Sequence, residues 1–220
     1  YTLACLERQE TGISAGISTP KETKTEAIKH FVTELADWDA GYFLTAGKGV
    51  AGDAIASVDQ EAVWQSVVAA AQVLCPEATT AVTDLPDSTG LVAALADTNI
   101  SLVASEEPFT AEADLLFVGS KIRVLDHDMA DQLKVKTVVP ITRLALTTRA
   151  LARCTNRGVV VAPDFISAAG ALLGTDVVST THTLLAELVD HPAGPVIGAC
   201  LQAEKFLQTW QDSLPFGRPL

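Results

Sequence analysis

Few residues of this chain are arranged to attack a bond, move a proton or hold a cofactor. Ser14 stands in the glycine-rich stretch "GISAGIS", which fits a tight turn. No histidine and acid attend it at a usable spacing, and neither Ser66 nor Ser88 lies in G-x-S-x-G. Lys48, in "AGKGVAG", is a candidate anion contact, but Gly49 and Val50 follow it, so the phosphate-loop pattern G-x-x-x-x-G-K-[ST] is not met. Convergence of Ser14 and Lys48 in one concave site would point to altered chemistry in a retained pocket. Asp84 closes the apolar run "TAVTD". An acid there can bond the ribose hydroxyls of a dinucleotide, and it can equally cap a turn.

Metal chemistry finds little support. The histidines, His30, His127, His182 and His191, form no H-E-x-x-H or other close ligand pair. His127 sits between Asp126 and Asp128 at a helix start. Acids are favoured there by the helix dipole, so capping is weighed against a metal or proton-transfer role. Cys5, Cys75, Cys154 and Cys200 are scattered without C-x-x-C and read as buried thiols of a reducing, cytoplasmic compartment.

The elements that would position these groups alternate. Thr19, Pro20 and Glu22 look like a capping box opening a helix whose buried stripe is Ile28, Phe31, Val32 and Leu35. A Gly/Asp-rich loop with a short strand at 42–45 follows. A helix from Gln60 to Leu74 then carries Val63, Val67, Ala70, Ala71 and Leu74 on one side. From Thr79 on, short apolar runs ("TTAVTD", "NISLVAS", "ADLLFVGS", "VKTVVP", "GVVVAPDF") are separated by helical stretches. Runs apolar throughout, rather than alternating, belong to strands buried on both faces. The pattern predicts an α/β fold with a doubly wound, mostly parallel sheet and flanking helices, and no internal repeat. Two closing helices follow, the last bearing Phe206, Leu207 and Trp210 as a face for the chain's own core or for a second subunit.

Acids number 27 against 15 bases, for a net charge of −12. That surface opposes nucleic acid and anionic lipid, and no basic block relieves it. No apolar stretch is long enough to span a membrane, and no signal peptide is read. The required glycine turn G-x-G-x-x-G is missing, and Asp59 and Glu61 ahead of the helix at Ala62 would repel a phosphate.

The block Glu112–Gly174 resembles the cofactor domain of the glutamate/leucine/phenylalanine/valine dehydrogenases. It carries an A-D-L-L strand, an acidic helix, a K-x-V-V strand, a T-T segment and "RGVVVAPDF" in the family's order. Upstream, "TGISAGI" is similar to the family's G-G-x-K-G-G-I turn, and "YFLTAGKGVAGDAI" to its Y-x-T-x-x-D segment. "AAAQVLCPEATTAVTD" is similar to the helix and second strand of the dinucleotide fold. The resemblance implies a Rossmann-like fold and NAD(P)-dependent oxidative deamination of an L-amino acid by a dimer or hexamer. On its register the catalytic lysine falls on Ser14 and the proton-moving aspartate on Lys48. The substrate-side asparagine falls near Thr142 and the nicotinamide-side asparagine on Ala168, and the first strand with its glycine loop is cut out between Asp53 and Ala62.

These departures predict a catalytically silent relative acting as a binding, regulatory or assembly module. Residues 1–58 would be the remnant of a truncated first domain, 59–175 the Rossmann-like domain without its glycine loop, and 176–220 the closing helices. The expected partner is a second copy or another protein, with a small polar ligand in the old site, no nucleic acid, no membrane, no metal and no cofactor. The alternative is an oxidoreductase acting on an L-amino acid, with NAD or NADP held by Asp84 and by Gly49 or Gly52.

Overall fold

In the computed structural model, which describes residues 1–10, 15–36, 50 and 60–215, the apolar runs become five strands of one parallel sheet. These are β1 (Thr80–Thr83), β2 (Ser101–Leu102), β3 (Leu115–Val118), β4 (Thr137–Pro140) and β5 (Val160–Val161), in the order β2-β1-β3-β4-β5. Successive side chains of a strand leave on opposite faces, and here each face meets a helical layer. Leu115 and Phe117 enter one core, and Leu116 and Val118 enter the other. Every residue of β3 and β4 is buried, which is why neither strand alternates apolar with polar.

The first layer is built on α3 (Gln60–Leu74), α4 (Thr89–Leu95), α8 (Val177–Ala186) and α9 (Pro195–Leu207), with the short α1 (Thr2–Cys5) against α9. Small side chains let α3 sit close to its neighbours: Ser66, Ala69, Ala70 and Ala71 are all buried. Phe206, Leu207 and Trp210 pack on this core. The opposite layer holds α5 (His127–Gln132) and α6 (Thr148–Asn156). The fold is thus the doubly wound, Rossmann-like sheet that the apolar runs predicted.

Tyr1–Glu10 and Gln60–Leu220 belong to one compact unit, and Thr11–Asp59 to a second. In the second, a 3₁₀ turn (Lys21–Thr23) leads into α2 (Lys24–Ala36), where Ile28 is buried and Phe31, Val32 and Leu35 are half-buried on its stripe. The expected capping box does not form. Pro20 occupies the cap position in an extended conformation, so Thr19 falls one residue outside it and its hydroxyl meets that of Thr23 at 2.7 Å. The strand expected at 42–45 lies outside the described residues.

Two further expectations are corrected by the topology. Sheet order makes Thr80–Thr83 the central strand from which the chain winds both ways, so it is the first strand of the doubly wound layer, not the second. Among the described residues no strand precedes it in the sheet, and the turn Asp84–Ser88 follows it where the glycine loop of a first strand stands. The second correction is a repeat that the side chains conceal. The β3–α5 and β4–α6 units share one shape: a left-handed residue (Arg123, φ 56°; Leu144, φ 57°), a bridge residue (Leu125; Leu146), then a helix cap (Asp126; Thr147). Such a shape tolerates unlike side chains, so no sequence self-similarity betrays it.

Asp114 ties the entry ends of three strands together. Its carboxylate accepts from the Thr79 and Thr80 N–H groups and hydroxyls and from the Lys136 ammonium at 2.8 Å. Lys136 chiefly, with these threonine contacts, holds the Asp114 carboxyl well below the usual carboxylate range. The stabilisation is therefore complete above the unfolded carboxyl value near 3.9 and is lost as pH falls through the lower folded value. Asp114→Ala is expected to cost roughly 2–3 kcal/mol in urea unfolding at neutral pH, since bonds to a charged acceptor are being removed. The difference from the parent protein should shrink as the pH drops below about 4; a pH-independent difference would contradict the role of the charge.

Candidate functional site

Doubly wound sheets bind ligands at the carboxyl ends of their strands, where the chain winds away in two directions. In this order that point lies between β1 and β3. Asp84, directly after β1, closes it. One carboxylate oxygen accepts from the Gly119 N–H at 2.8 Å, and the other accepts from the Ser120 hydroxyl at 2.6 Å. The Ser120 N–H reaches both oxygens, at 3.3 and 3.2 Å. Asp84 is half-buried, at the end of the central strand rather than the second one. The second strand leads instead into Ser105, Glu106 and Glu107, all exposed.

The rest of the β1–α4 turn is also acidic. Asp87 accepts from the Thr89 N–H at 3.0 Å and its hydroxyl at 2.7 Å, which lowers the Asp87 pKa. A pyrophosphate at this place needs free N–H groups and a close backbone approach. The turn "DLPDSTG" offers two carboxylates and a proline instead. Its glycine, Gly90, serves helix packing: a Cβ there would meet Trp64 Nε1 of α3 at 2.7 Å. The sequence carried this signal, since a glycine six positions beyond Asp84 is where the fingerprint's packing glycine stands when the turn is one residue longer.

Gly119 is a position that sequence reasoning passed over. A Cβ on it would come within 3.0 Å of Thr142 Oγ1 and 3.1 Å of the Thr142 N, so any side chain here would press the loop after β4 outward by a few tenths of an ångström. Thr142 donates its hydroxyl to the Gly119 carbonyl at 3.3 Å, and Asp164 accepts from the Leu144 N–H at 2.5 Å. The crest above β1, β3 and β4 is therefore stitched by the chain's own groups. Ala168 ends the short helix α7 (Asp164–Ser167) and offers no polar side chain.

The remaining candidates resolve simply. Ser14, Lys48, Gly49, Gly52 and Asp59 lie outside the described residues. Glu61 is an exposed residue of the first turn of α3. Asp126 caps α5 by accepting from the Asp128 and Met129 N–H groups, each at 3.0 Å. Asp126, His127 and Asp128 lie close enough to share an ion, but one oxygen of Asp126 is already the cap. Ser66 is buried, donating to the Ser167 carbonyl at 2.8 Å and accepting from the Gly170 N–H at 3.2 Å. It joins α3 to the segment Asp164–Leu173, a structural role. Cys5 and Cys154 are buried, and desolvation pushes each thiol up to about 11. Neither is a nucleophile at neutral pH. A shallow depression of ≈ 210 Å³ between α6, β5 and the turn at His191–Gly194 is lined by Val159, Val161 and Val189, and His191 Nδ1 accepts there from the Ala193 N–H.

Three solved structures share this architecture. The L-tryptophan dehydrogenase of Nostoc punctiforme superposes with a TM-score of 0.64 at 14 % identity, covering 94 % of this chain and 79 % of its own. A glutamate dehydrogenase gives 0.60 at 14 %, covering 87 % and 67 %. The hetero-hexameric glutamate dehydrogenase of Thermus thermophilus, in a Leu-bound form, gives 0.55 at 16 %, covering 94 % and 68 %. No family model and no curated protein matches the sequence. The chain therefore has the fold of the amino-acid dehydrogenases, as the motifs of Glu112–Gly174 suggested.

The Asp84 stitch makes a quantitative claim. Asp84→Ala leaves the Gly119 and Ser120 N–H groups without their acceptor and is expected to cost about 2 kcal/mol. Amide hydrogen exchange at Gly119 and Ser120 should accelerate with it, while exchange in α8 stays unchanged. Equal acceleration everywhere would mean that the residue acts on global stability alone.

Proposed function

We propose that this chain is a catalytically silent relative of the amino-acid dehydrogenases that works as a binding or assembly module, with a second copy or another protein as its partner. One observation carries the reading: the turn after β1, where a dinucleotide's pyrophosphate would lie, presents the carboxylates of Asp84 and Asp87, and Asp84 closes the β1/β3 crest by accepting from Gly119 and Ser120. Burying a second anion beside that carboxylate sets like charges against each other. A dinucleotide does not fit this turn.

The replacements on the family register support the same reading. Ser14 stands for the lysine that would steady a developing alkoxide, and Lys48 for the aspartate that would move protons. Serine carries no charge, and lysine reverses one. Thr142 stands near the place of the substrate-side asparagine and bonds the Gly119 carbonyl. Ala168 stands for the asparagine on the nicotinamide side.

One feature favours the oxidoreductase alternative. Glu106, following the second strand, sits where a ribose-binding acid belongs in this sheet order, the place first assigned to Asp84. A turnover screen separates the two. The purified chain, given NAD or NADP with L-tryptophan, L-leucine or L-glutamate, is expected to produce no reduced nicotinamide above the protein-free rate. Saturable turnover that disappears in Glu106→Gln would overturn the silent reading.

A further inference from the structure

The twin loops after β3 and β4 carry a surface unlike that of the other described residues. Ile122, 64 % exposed, and Leu144, 60 % exposed, are the most exposed large apolar side chains among the described residues. They are neighbours: the Arg123 N–H donates to the Leu144 carbonyl at 2.7 Å, and the Leu125 N–H to the Ala145 carbonyl at 3.1 Å. Lys121, Arg123 and Arg143 flank them, all exposed. Among the described residues no ion pair engages any of the three, although other bases of the chain pair with Glu10, Glu112, Asp114 and Asp131. The carboxylates that these loops touch, Asp84 and Asp164, are held by backbone N–H groups and the Ser120 hydroxyl instead.

The turns that raise this surface are strained. Arg123 and Leu144 both adopt left-handed backbone, a region costly for a long or branched side chain and ordinarily left to glycine. Glycine at either position would relieve the strain but would remove a cation or an apolar tip. Alternating tips, Ile122–Arg123 on one loop and Arg143–Leu144 on the next, give two apolar contacts with cations between and beside them. In a chain of net charge −12, the two loops gather three exposed cations with no ion-pair partner among the described residues.

We propose that this crest docks an acidic peptide segment of a partner protein, one that interleaves carboxylates with apolar side chains. The proposal rests on the binding-module reading and gives it a surface and a partner chemistry. Charge complementarity sets the register, apolar burial of Ile122 and Leu144 supplies attraction that salt does not screen, and the segment's carboxylates meet Lys121, Arg123 and Arg143. A bare polyanion would satisfy the cations and leave the apolar tips in water.

The test is fluorescence anisotropy of a labelled peptide of alternating Glu and Leu. Saturable binding is expected, weakened about tenfold by Lys121→Glu with Arg143→Glu and about as much by Ile122→Ser with Leu144→Ser. All four side chains are exposed, so the variants should melt like the parent. Added salt should weaken binding to the unaltered chain, which keeps the test independent of any variant's folding. The same peptide with Gln for Glu, or with Ser for Leu, should bind less well. No saturable binding, or equal binding by the all-Gln peptide, would overturn the proposal. So would stronger capture by phosphatidylserine vesicles, or self-association in sedimentation that the charge reversals abolish, since these assign the crest to a membrane or to a second copy. The turnover screen reports separately: silent chemistry without peptide binding removes only this surface, and turnover beside peptide binding removes only the silent reading.

Discussion

The junction between β1 and β3 is the constraint on which the rest of this structure depends. In a doubly wound sheet the chain leaves these strands in opposite directions, and the gap between their loops is the natural seat for a ligand. Here a carboxylate bridges the junction at each end. Asp114 binds Thr79, Thr80 and Lys136 at the entry end, and Asp84 binds Gly119 and Ser120 at the exit end. The first bridge is structural in any reading. The second lies where function would lie, and it turns a gap into a joint.

That joint propagates outward. Gly119 must present its N–H to Asp84 and pass within contact distance of Thr142, so the loops after β3 and β4 are drawn together. Their shared left-handed turns then raise Ile122 and Leu144 into solvent. Asp164 steadies the second loop through the Leu144 N–H. Closing the crevice and building the exposed crest are thus one arrangement of backbone, positioned by the same handful of polar contacts.

Much of the scaffold was legible in the residues. Unbroken apolar runs in 115–118 and 137–140 announced strands buried on both sides, and the acid ahead of "HDMADQL" announced the cap of α5. What stayed hidden depends on pairing. Which strand is central is set by hydrogen bonds between segments far apart in the chain, so the resemblance makes Thr80–Thr83 the second strand where the sheet order makes it central. The strand order brings Gly119 to Asp84, a contact that the sequence between them does not announce. The repeat of β3–α5 in β4–α6 lies in backbone shape, where Arg123 matches Leu144 and Asp126 matches Thr147, pairs that no composition argument would join. Ser14 and Lys48 lie outside the described residues.

The account stands or falls on whether the Asp84 joint excludes a dinucleotide. Calorimetric titration of the purified chain with NAD(H) and NADP(H) asks this directly. No saturable heat is expected at millimolar cofactor, because Asp84 closes the crest and the turn after β1, where a pyrophosphate would lie, is acidic. A dissociation constant in the micromolar range would contradict this, and would mean that the joint opens to admit the cofactor.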